Sequence, residues 1–205
     1  TSYEWNTNPP QFTQQITVNS GGIYEVTLTN ALNCAKTKTF TIEASGIATI
    51  EDIIINDFRE NNSATIQISA SSLGDYEFSL DGVNYQDSNV FSNLNAGEYT
   101  VYVQDKKGCG IVFETFYILD YPKYFTPNND GYNDTWYIKN LDKRNLENSV
   151  ITVFDRYGKL IKQVSGANEG WNGTFNGEIL PSTDYWFTIE LTNGKTIKGH
   201  FALKR

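Results

Sequence analysis

Alternating apolar and polar residues dominate the chain, and this pattern predicts β-strands. The clearest case lies near the C-terminus, where residues 185–191 and 197–203 alternate between apolar and polar positions. A period of two places one face of a strand in a core and the other in solvent. Asn193-Gly194 between the two runs is typical of a tight type I′ turn. The outward face of the predicted terminal hairpin includes Trp186, Lys198, His200 and Lys204.

Similar runs occur along the rest of the chain. We predict strands over residues 64–70, 76–80, 99–104, 111–119, 150–154 and 160–164. Asp81-Gly82 is typical of a tight hairpin turn, and Asp155–Gly158 connects the last two runs. The composition includes 13 Tyr, 12 Phe and 4 Trp but only 5 Pro, and aromatic residues favour the pleated surface of strands. The predicted fold class is all-β.

An internal repeat divides the chain into modules. Gly22 opens a strand pattern that leads to Cys34, and Gly97 opens a similar one that leads to Cys109, 12 residues after the glycine both times. The copies are offset by 75 residues, the size of a small sandwich, and resemble immunoglobulin-like repeats of bacterial surface proteins. We therefore predict tandem immunoglobulin-like β-sandwich modules: a partial N-terminal module (1–45), a middle module (46–120) and a C-terminal domain (121–205).

Cys34 and Cys109 are the only cysteines. Two are too few for a disulfide scaffold or a four-ligand zinc site. Their equivalent places in two repeats argue against a bridge between them. We expect each to be a small buried group, or to have its partner outside this chain.

The balance of charge changes near Pro122, a residue that disfavours helix and marks the last boundary. Residues 1–120 carry 5 basic and 15 acidic side chains, whereas residues 121–205 carry 11 and 9. The net charge of −8 offers no basic field to phosphates, so nucleic acid is not an expected partner. No run approaches the roughly 18–20 apolar residues that span a bilayer. The chain opens mid-pattern, without a leader, and we expect it to be part of a longer protein.

Five short blocks follow one another in the C-terminal domain. They are Tyr124–Trp136, Val153–Gly158, Gly170–Gly173, Leu180–Trp186 and Gly199–Arg205. In this order they strongly resemble the type B C-terminal sorting domain of the type IX secretion system, also called the gliding-motility-associated C-terminal domain, of Bacteroidetes. The resemblance covers residues 121–205. One departure is Asn129, where the family usually has Gly, but Asn tolerates the left-handed backbone better than most residues.

The resemblance implies export across the outer membrane, followed by retention on the cell surface or release. It implies outer-membrane type IX components as partners, with a PorP/SprF-type protein expected, and it brings no catalytic residues. Five residues of the last strand are candidates for recognition by the translocon: Lys198, His200, Phe201, Lys204 and Arg205. A solvated charged face that blocks edge-to-edge aggregation is the alternative.

The loop that opens the first block gathers oxygen-bearing side chains around a glycine, as calcium loops do. Its residues are Pro127, Asn128, Asp130, Gly131, Asn133 and Asp134. The loop lacks the late bidentate Glu and the spacing of an EF-hand, and Asx turns require the same residue types. We expect a structural loop motif and no cofactor. Calcium held by Asn128, Asp130 and Asp134 is the alternative.

Two other groups of residues suggest chemistry. Trp136, Trp171 and Trp186 could form an aromatic platform for surface polysaccharide, although packing explains such residues as well. His200 is the only histidine, and it has no visible nucleophile beside it, so catalysis is poorly supported. We expect the chain to be the C-terminal region of a secreted adhesin and not an enzyme. The alternative is a carbohydrate-binding module of a longer secreted enzyme.

Overall fold

The computed structural model describes residues 1–165, 170–192 and 194–205. The N-terminal module contains β1 (Ser2–Trp5), β2 (Gly22–Thr29) and β3 (Ala35–Ile42). The middle module contains β4 (Ile50–Asn56), β5 (Asn62–Ile68), β6 (Tyr76–Ser79), β7 (Val90–Leu94), β8 (Gly97–Asp105) and β9 (Ile111–Ile118). The C-terminal domain contains β10 (Tyr124–Phe125), a 3-10 helix (Asp142–Arg144), β11 (Val150–Phe154), β12 (Leu160–Ser165), β13 (Thr174–Phe175), β14 (Glu178–Ile179), β15 (Thr183–Glu190) and β16 (Thr196–Leu203).

The all-β prediction is confirmed, and the predicted strands are present with ends shifted by at most two residues. Within the described ranges, each strand pairs only with strands of its own segment. No helix there is both long and apolar enough to cross a membrane.

The N-terminal module is one antiparallel sheet in the order β1-β2-β3. Its apolar face buries Trp5 and Val26, and the ring of Phe40 lies 5.9 Å from the Trp5 ring. On the other face the hydroxyls of Thr27 and Thr37 lie 2.9 Å apart. The segment therefore contains one sheet with an apolar side and a polar side, and its assignment as a partial immunoglobulin-like module stays a prediction.

The middle module packs two three-stranded sheets, β4-β5-β7 and β6-β8-β9, against each other. Its core is built from inward-facing side chains of both sheets: Ala64, Ile66, Phe78, Val101, Val103, Phe116 and Ile118. The tight turn predicted at Asp81-Gly82 is wrong. Phe78 pairs with Gln86 instead, and the Asp81 carboxylate accepts hydrogen bonds from backbone amides inside this wider loop.

The repeated Gly-to-Cys pattern corresponds to two equivalent hairpins, β2–β3 and β8–β9. An Asx side chain begins each turn. Asn30 Oδ1 accepts from the amide of Cys34 at 2.9 Å, and Asp105 Oδ2 accepts from the amide of Cys109 at 3.1 Å. Both thiols are free and exposed, so the expectation that they are buried is wrong. The tips of these hairpins are too open to enclose them.

A five-stranded sheet in the order β10-β16-β15-β11-β12 forms the C-terminal domain. The predicted alternation is confirmed, because Tyr185, Phe187, Ile189, Phe201 and Leu203 are all buried. The sheet is antiparallel except at β10, which runs parallel to β16. The turn predicted at Asn193-Gly194 includes Asn193, which lies outside the described residues.

Two tryptophans cover the inner face of this sheet. Trp136 and Trp171 exchange backbone hydrogen bonds of 2.9 and 2.8 Å, and both side chains are buried. The Trp136 indole stacks on Phe201 with ring centroids 3.9 Å apart. Among the described residues, the inner face of the sheet is therefore covered by loops that carry these two indoles, and not by a second large sheet.

Candidate functional site

The strand directions bring the five sequence blocks to one end of the C-terminal domain. The parallel strands β10 and β16 both finish at this end. Because β15 is antiparallel to β16 and to β11, it starts where those two strands finish. We call this region the distal end, and it consists of residues 126–135, 155–158, 171–173, 180–183 and 204–205.

The opening loop of the distal end is held by its own carboxylates. Asp134 accepts hydrogen bonds from the amides of Asn129 and Gly131, at 2.6 and 2.8 Å. Asp130 accepts from the amide of Tyr132 at 2.8 Å and from the Asn128 side chain. These bonds lower the pKa of Asp130, because they favour the charged carboxylate.

The backbone of this loop explains its residue types. Asn129 and Asn133 have φ of +64° and +52°, and Asn is one of the few side chains that adopt this conformation readily. Asn129 therefore keeps the loop in the shape that the family usually builds with Gly. Gly131 lies between them with φ of +90°.

Few carboxylate oxygens of this loop remain free to bind calcium. Both oxygens of Asp134 and Oδ1 of Asp130 accept backbone amides. Among the described residues, no group of three or more His, Cys, Asp or Glu side chains could hold a metal ion. The loop is built as an Asx-turn motif, and calcium binding by Asn128, Asp130 and Asp134 stays an untested prediction.

The C-terminal residue Arg205 ties three of the blocks together. Its Nη1 donates to the carbonyl of Pro127 at 3.4 Å, and its Nη2 donates to the carbonyl of Gly173 at 3.1 Å. Its amide donates to Ser182 Oγ at 3.1 Å. The sequence made Arg205 a candidate for recognition by the translocon, and in the fold its guanidinium binds the backbone of the distal end.

A small pocket of about 150 Å³ lies at the distal end, between the turn that follows β11 and the start of β15. Arg156, Tyr157 and Lys159 stand at its rim, and Tyr185 lies in its wall. The Asp155 carboxylate shapes the rim turn by accepting the amides of Tyr157 and Lys159, at 2.8 and 2.9 Å. Burial raises the pKa of the Tyr185 phenol, whose hydroxyl donates to the carbonyl of Pro181 at 3.0 Å.

The outer face of the sheet carries the predicted basic and aromatic residues. Trp186 is 42% exposed, and its ring centroid lies 6.3 Å from that of His200 on the neighbouring strand. Lys198 and His200 are not buried, and Lys204 Nζ lies 4.4 Å from the centroid of the Tyr124 ring. Phe201 is the exception among the five predicted recognition residues.

Phe201 is fully buried in the core. The prediction that its side chain contacts a partner directly is therefore wrong for the folded domain. The alternation of β16 requires this, because Phe201 shares the inner face with Leu203. The platform of three tryptophans is also wrong, since Trp136 and Trp171 fill the core and Trp186 alone reaches solvent.

Sequence reasoning missed the pocket rim and an apolar row across the outer face. The register places Leu160 beside Phe154, Phe154 beside Trp186, and Trp186 beside His200. Leu160 is 51% exposed. Arg156 and Tyr157 belong to the sequence block Val153–Gly158, so this block could have indicated the pocket rim. The row depends on strand register across four strands, which no local pattern reveals.

The CHU_C type IX secretion signal domain family matches residues 119–203. A search of curated proteins found no match. The solved structures that are similar to this chain include the following three, each at 14% identity or less. PorZ, a surface component of the type IX secretion system of Porphyromonas gingivalis, is 14% identical over 88% of this chain and 29% of its own, with a TM-score of 0.34.

The other two structures are a biofilm-associated protein domain and a glucan utilisation protein. The first, described as a BSP domain, is 12% identical over 89% of this chain and 41% of its own, with a TM-score of 0.29. The second, SGBP-B of Bacteroides ovatus in complex with a mixed-linkage heptasaccharide, is 12% identical over 99% and 60%, with a TM-score of 0.27. This chain thus spans less than two thirds of each.

The family match and the five blocks coincide in the same stretch of chain. The match begins at Leu119 and ends at Leu203, the last residue of β16. It therefore contains the whole five-stranded sheet and nearly all of the distal end. Residues 119–203 are a type IX secretion signal domain, and the protein is exported across the outer membrane to the cell surface.

Proposed function

We propose that this chain is the C-terminal region of a surface adhesin whose last domain directs both export and attachment. The middle and N-terminal modules then serve as the displayed part. The expected partners of the C-terminal domain are outer-membrane components of the type IX system, among them a PorP/SprF-type protein.

The convergence of the blocks at the distal end carries this proposal. The upstream modules join the domain at its other end, where β15 finishes and β16 begins. A signal on a folded domain is accessible to a partner when it faces away from the cargo, and the distal end has this position. Arg205 stabilises the distal end by donating hydrogen bonds to the backbone of two distant loops.

The surface available to a partner combines positive charge with exposed aromatic rings. Lys198, His200 and Lys204 line the outer face of β16, and Tyr157 at the pocket rim is 83% exposed. Exposed aromatic side chains such as Tyr157 are enriched at protein interfaces, whereas lysines contribute mainly by attracting an acidic partner. We infer that outer-membrane partners present acidic groups beside an apolar surface to this region.

The surroundings of the sole histidine support a role in binding over catalysis. His200 lies on the outer face of an open sheet beside Trp186 and between Lys198 and Lys204. A nucleophile, a general base and an orienting carboxylate must converge in a site that excludes water. The outer face of this sheet offers no such enclosure for His200.

The alternative function, binding of surface polysaccharide, depends on Trp186. Its half-exposed indole is the one tryptophan available to stack on a sugar, because the other two of the C-terminal domain are buried. A glycan pull-down that is lost in Trp186→Ala would favour this alternative.

The proposal is tested by fusing a reporter to the N-terminus of residues 1–205 in a host with a type IX system. We expect the reporter on the surface of intact cells. A chain that ends at residue 120 should leave it inside the outer membrane.

A further inference from the structure

The loop between β4 and β5 of the middle module reaches across to the C-terminal domain. The Asp57 side chain at the start of this loop is only 2% exposed, and it pairs with two cations of the other domain. One is Arg144 of the 3-10 helix, and the other is Lys195, whose Nζ lies 3.2 Å from Asp57 Oδ1. A buried carboxylate is tolerated when it is paired and hydrogen-bonded in this way.

The next residue of the loop, Phe58, inserts beside the same domain. Its ring stacks on Tyr121 with centroids 6.4 Å apart and planes inclined by 23°, and it packs against the C-terminal core. Phe58 has φ of +60°, which is rare for a bulky residue because its Cβ is crowded there. Such a conformation persists only where the surroundings hold it, and here both the loop itself and the packing on Tyr121 surround Phe58.

The base of the loop is fixed within the middle module. Asn62 is buried, its Oδ1 accepts from the Arg59 amide at 2.9 Å, and its Nδ2 donates to the Leu94 carbonyl at 3.1 Å. The base of the loop is therefore ordered by bonds of the middle module itself, separate from the contacts that Asp57 and Phe58 make with the C-terminal domain.

The connection after β9 leaves no free linker between the two parts. Leu119 is fully buried in the core of the C-terminal domain. The Asn140 side chain donates to the carbonyl of Ile118 at 2.9 Å, and the Lys139 amide donates to the carbonyl of Asp120 at 2.9 Å. The chain thus enters the C-terminal domain already bonded to it.

We propose that Asp57 and Phe58 form an interdomain clamp that joins the middle module and the C-terminal domain into one mechanical unit. The surface that receives the clamp consists of Tyr121, Arg144 and Lys195, and the partner that it fits is the β4–β5 loop of the preceding module. The clamp contacts the end of the C-terminal domain that lies opposite the distal end. It therefore fixes the direction in which the distal end points relative to the displayed modules.

Chymotrypsin cleavage after Phe58 of the native full chain tests the clamp. The protease must take the Phe58 ring into its apolar specificity pocket, and this ring is packed against Tyr121 and the C-terminal core until the clamp opens. Asp57→Asn keeps the shape of the side chain and removes its charge, and we expect it to speed this cleavage by roughly tenfold or more. Glu60→Gln is the matched control, because it makes the same charge change at an exposed position of the same loop.

A second variant separates the clamp from general destabilisation. Arg144→Gln removes the partner from the other domain, and it should speed cleavage to a similar extent. The double variant should then add little, because both changes break the same contact. The proposal is overturned if Asp57→Asn is cleaved as slowly as Glu60→Gln, or if the effects of Asp57→Asn and Arg144→Gln are fully additive.

Discussion

The Trp136 indole and the Phe201 ring stack face to face, with centroids 3.9 Å apart and planes inclined by only 14°. Trp136 ends the first sequence block, and Phe201 lies in the last one. Both side chains are buried. The contact therefore joins the beginning and the end of the C-terminal domain at the centre of its core.

Replacing Phe201 should destabilise the C-terminal domain without changing its surface. Phe201→Ala leaves a cavity beneath Trp136, and we expect it to lower the free energy of unfolding by about 3–5 kcal/mol. Denaturant unfolding followed by tryptophan fluorescence measures this change. Trp186→Ala on the outer face is the control, with a loss of about 1 kcal/mol or less. Equal losses in the two variants would contradict the assignment of Phe201 to the core.

Arg205 should stabilise the distal end more than its terminal position suggests. Arg205→Ala removes the hydrogen bonds to the carbonyls of Pro127 and Gly173, and we expect a loss of about 1–2 kcal/mol. Hydrogen exchange should also become faster in residues 126–135. Lys204→Ala, at the adjacent position, is the control that should leave exchange in this loop unchanged. Equal exchange in both variants would show that the guanidinium does not hold the loop.

The faces of β15 and β16 could be predicted because alternation is a local property of the sequence. Burial of Tyr185 and Phe187 followed directly from it. The Gly-to-Cys repeat likewise located the β2–β3 and β8–β9 hairpins. These features depend on residues that lie close together in the chain, so a single sequence contains the information.

Interactions between distant residues could not be predicted in this way. Asp57 bonds to Arg144 and Lys195, which lie 87 and 138 positions further along the chain. Nothing in the Asp57 segment indicates these partners. The Asp81-Gly82 turn failed for a different reason, because the Asp81 side chain organises a wider loop by accepting two amides.

The junction between the first two modules should weaken in acid. Asp105 accepts a hydrogen bond of 2.6 Å from Ser45 Oγ, and this bond is the main cause of its lowered pKa. A carboxyl group with a lowered pKa in the folded protein stabilises it above its ordinary pKa of about 3.9. That contribution is lost as the pH falls through the lower folded value.

Asp105→Asn tests this dependence, because Asn can still accept the hydrogen bond but has no charge to lose. We expect the native chain to melt at a higher temperature than Asp105→Asn at pH 6. The difference should shrink as the pH falls below about 3.9. A difference that stays constant from pH 6 to pH 3 would exclude Asp105 as the source of the acid sensitivity.

Removal of calcium should leave the opening loop unchanged. The carboxylates of Asp130 and Asp134 already accept backbone amides, so the loop keeps its shape without an ion. We expect the same melting temperature in a chelator and in excess calcium chloride. A rise with calcium that disappears in Asp130→Asn would instead support the calcium alternative.

The account depends most on the claim that residues 121–205 direct export. The direct measurement is the fraction of a reporter, fused ahead of residues 1–205, that binds antibody on intact cells with an active type IX system. We predict a high fraction for the full chain, and a background fraction both for a chain ending at residue 120 and for the full chain in a host without the translocon. Equal surface binding by the full and shortened chains would contradict the account.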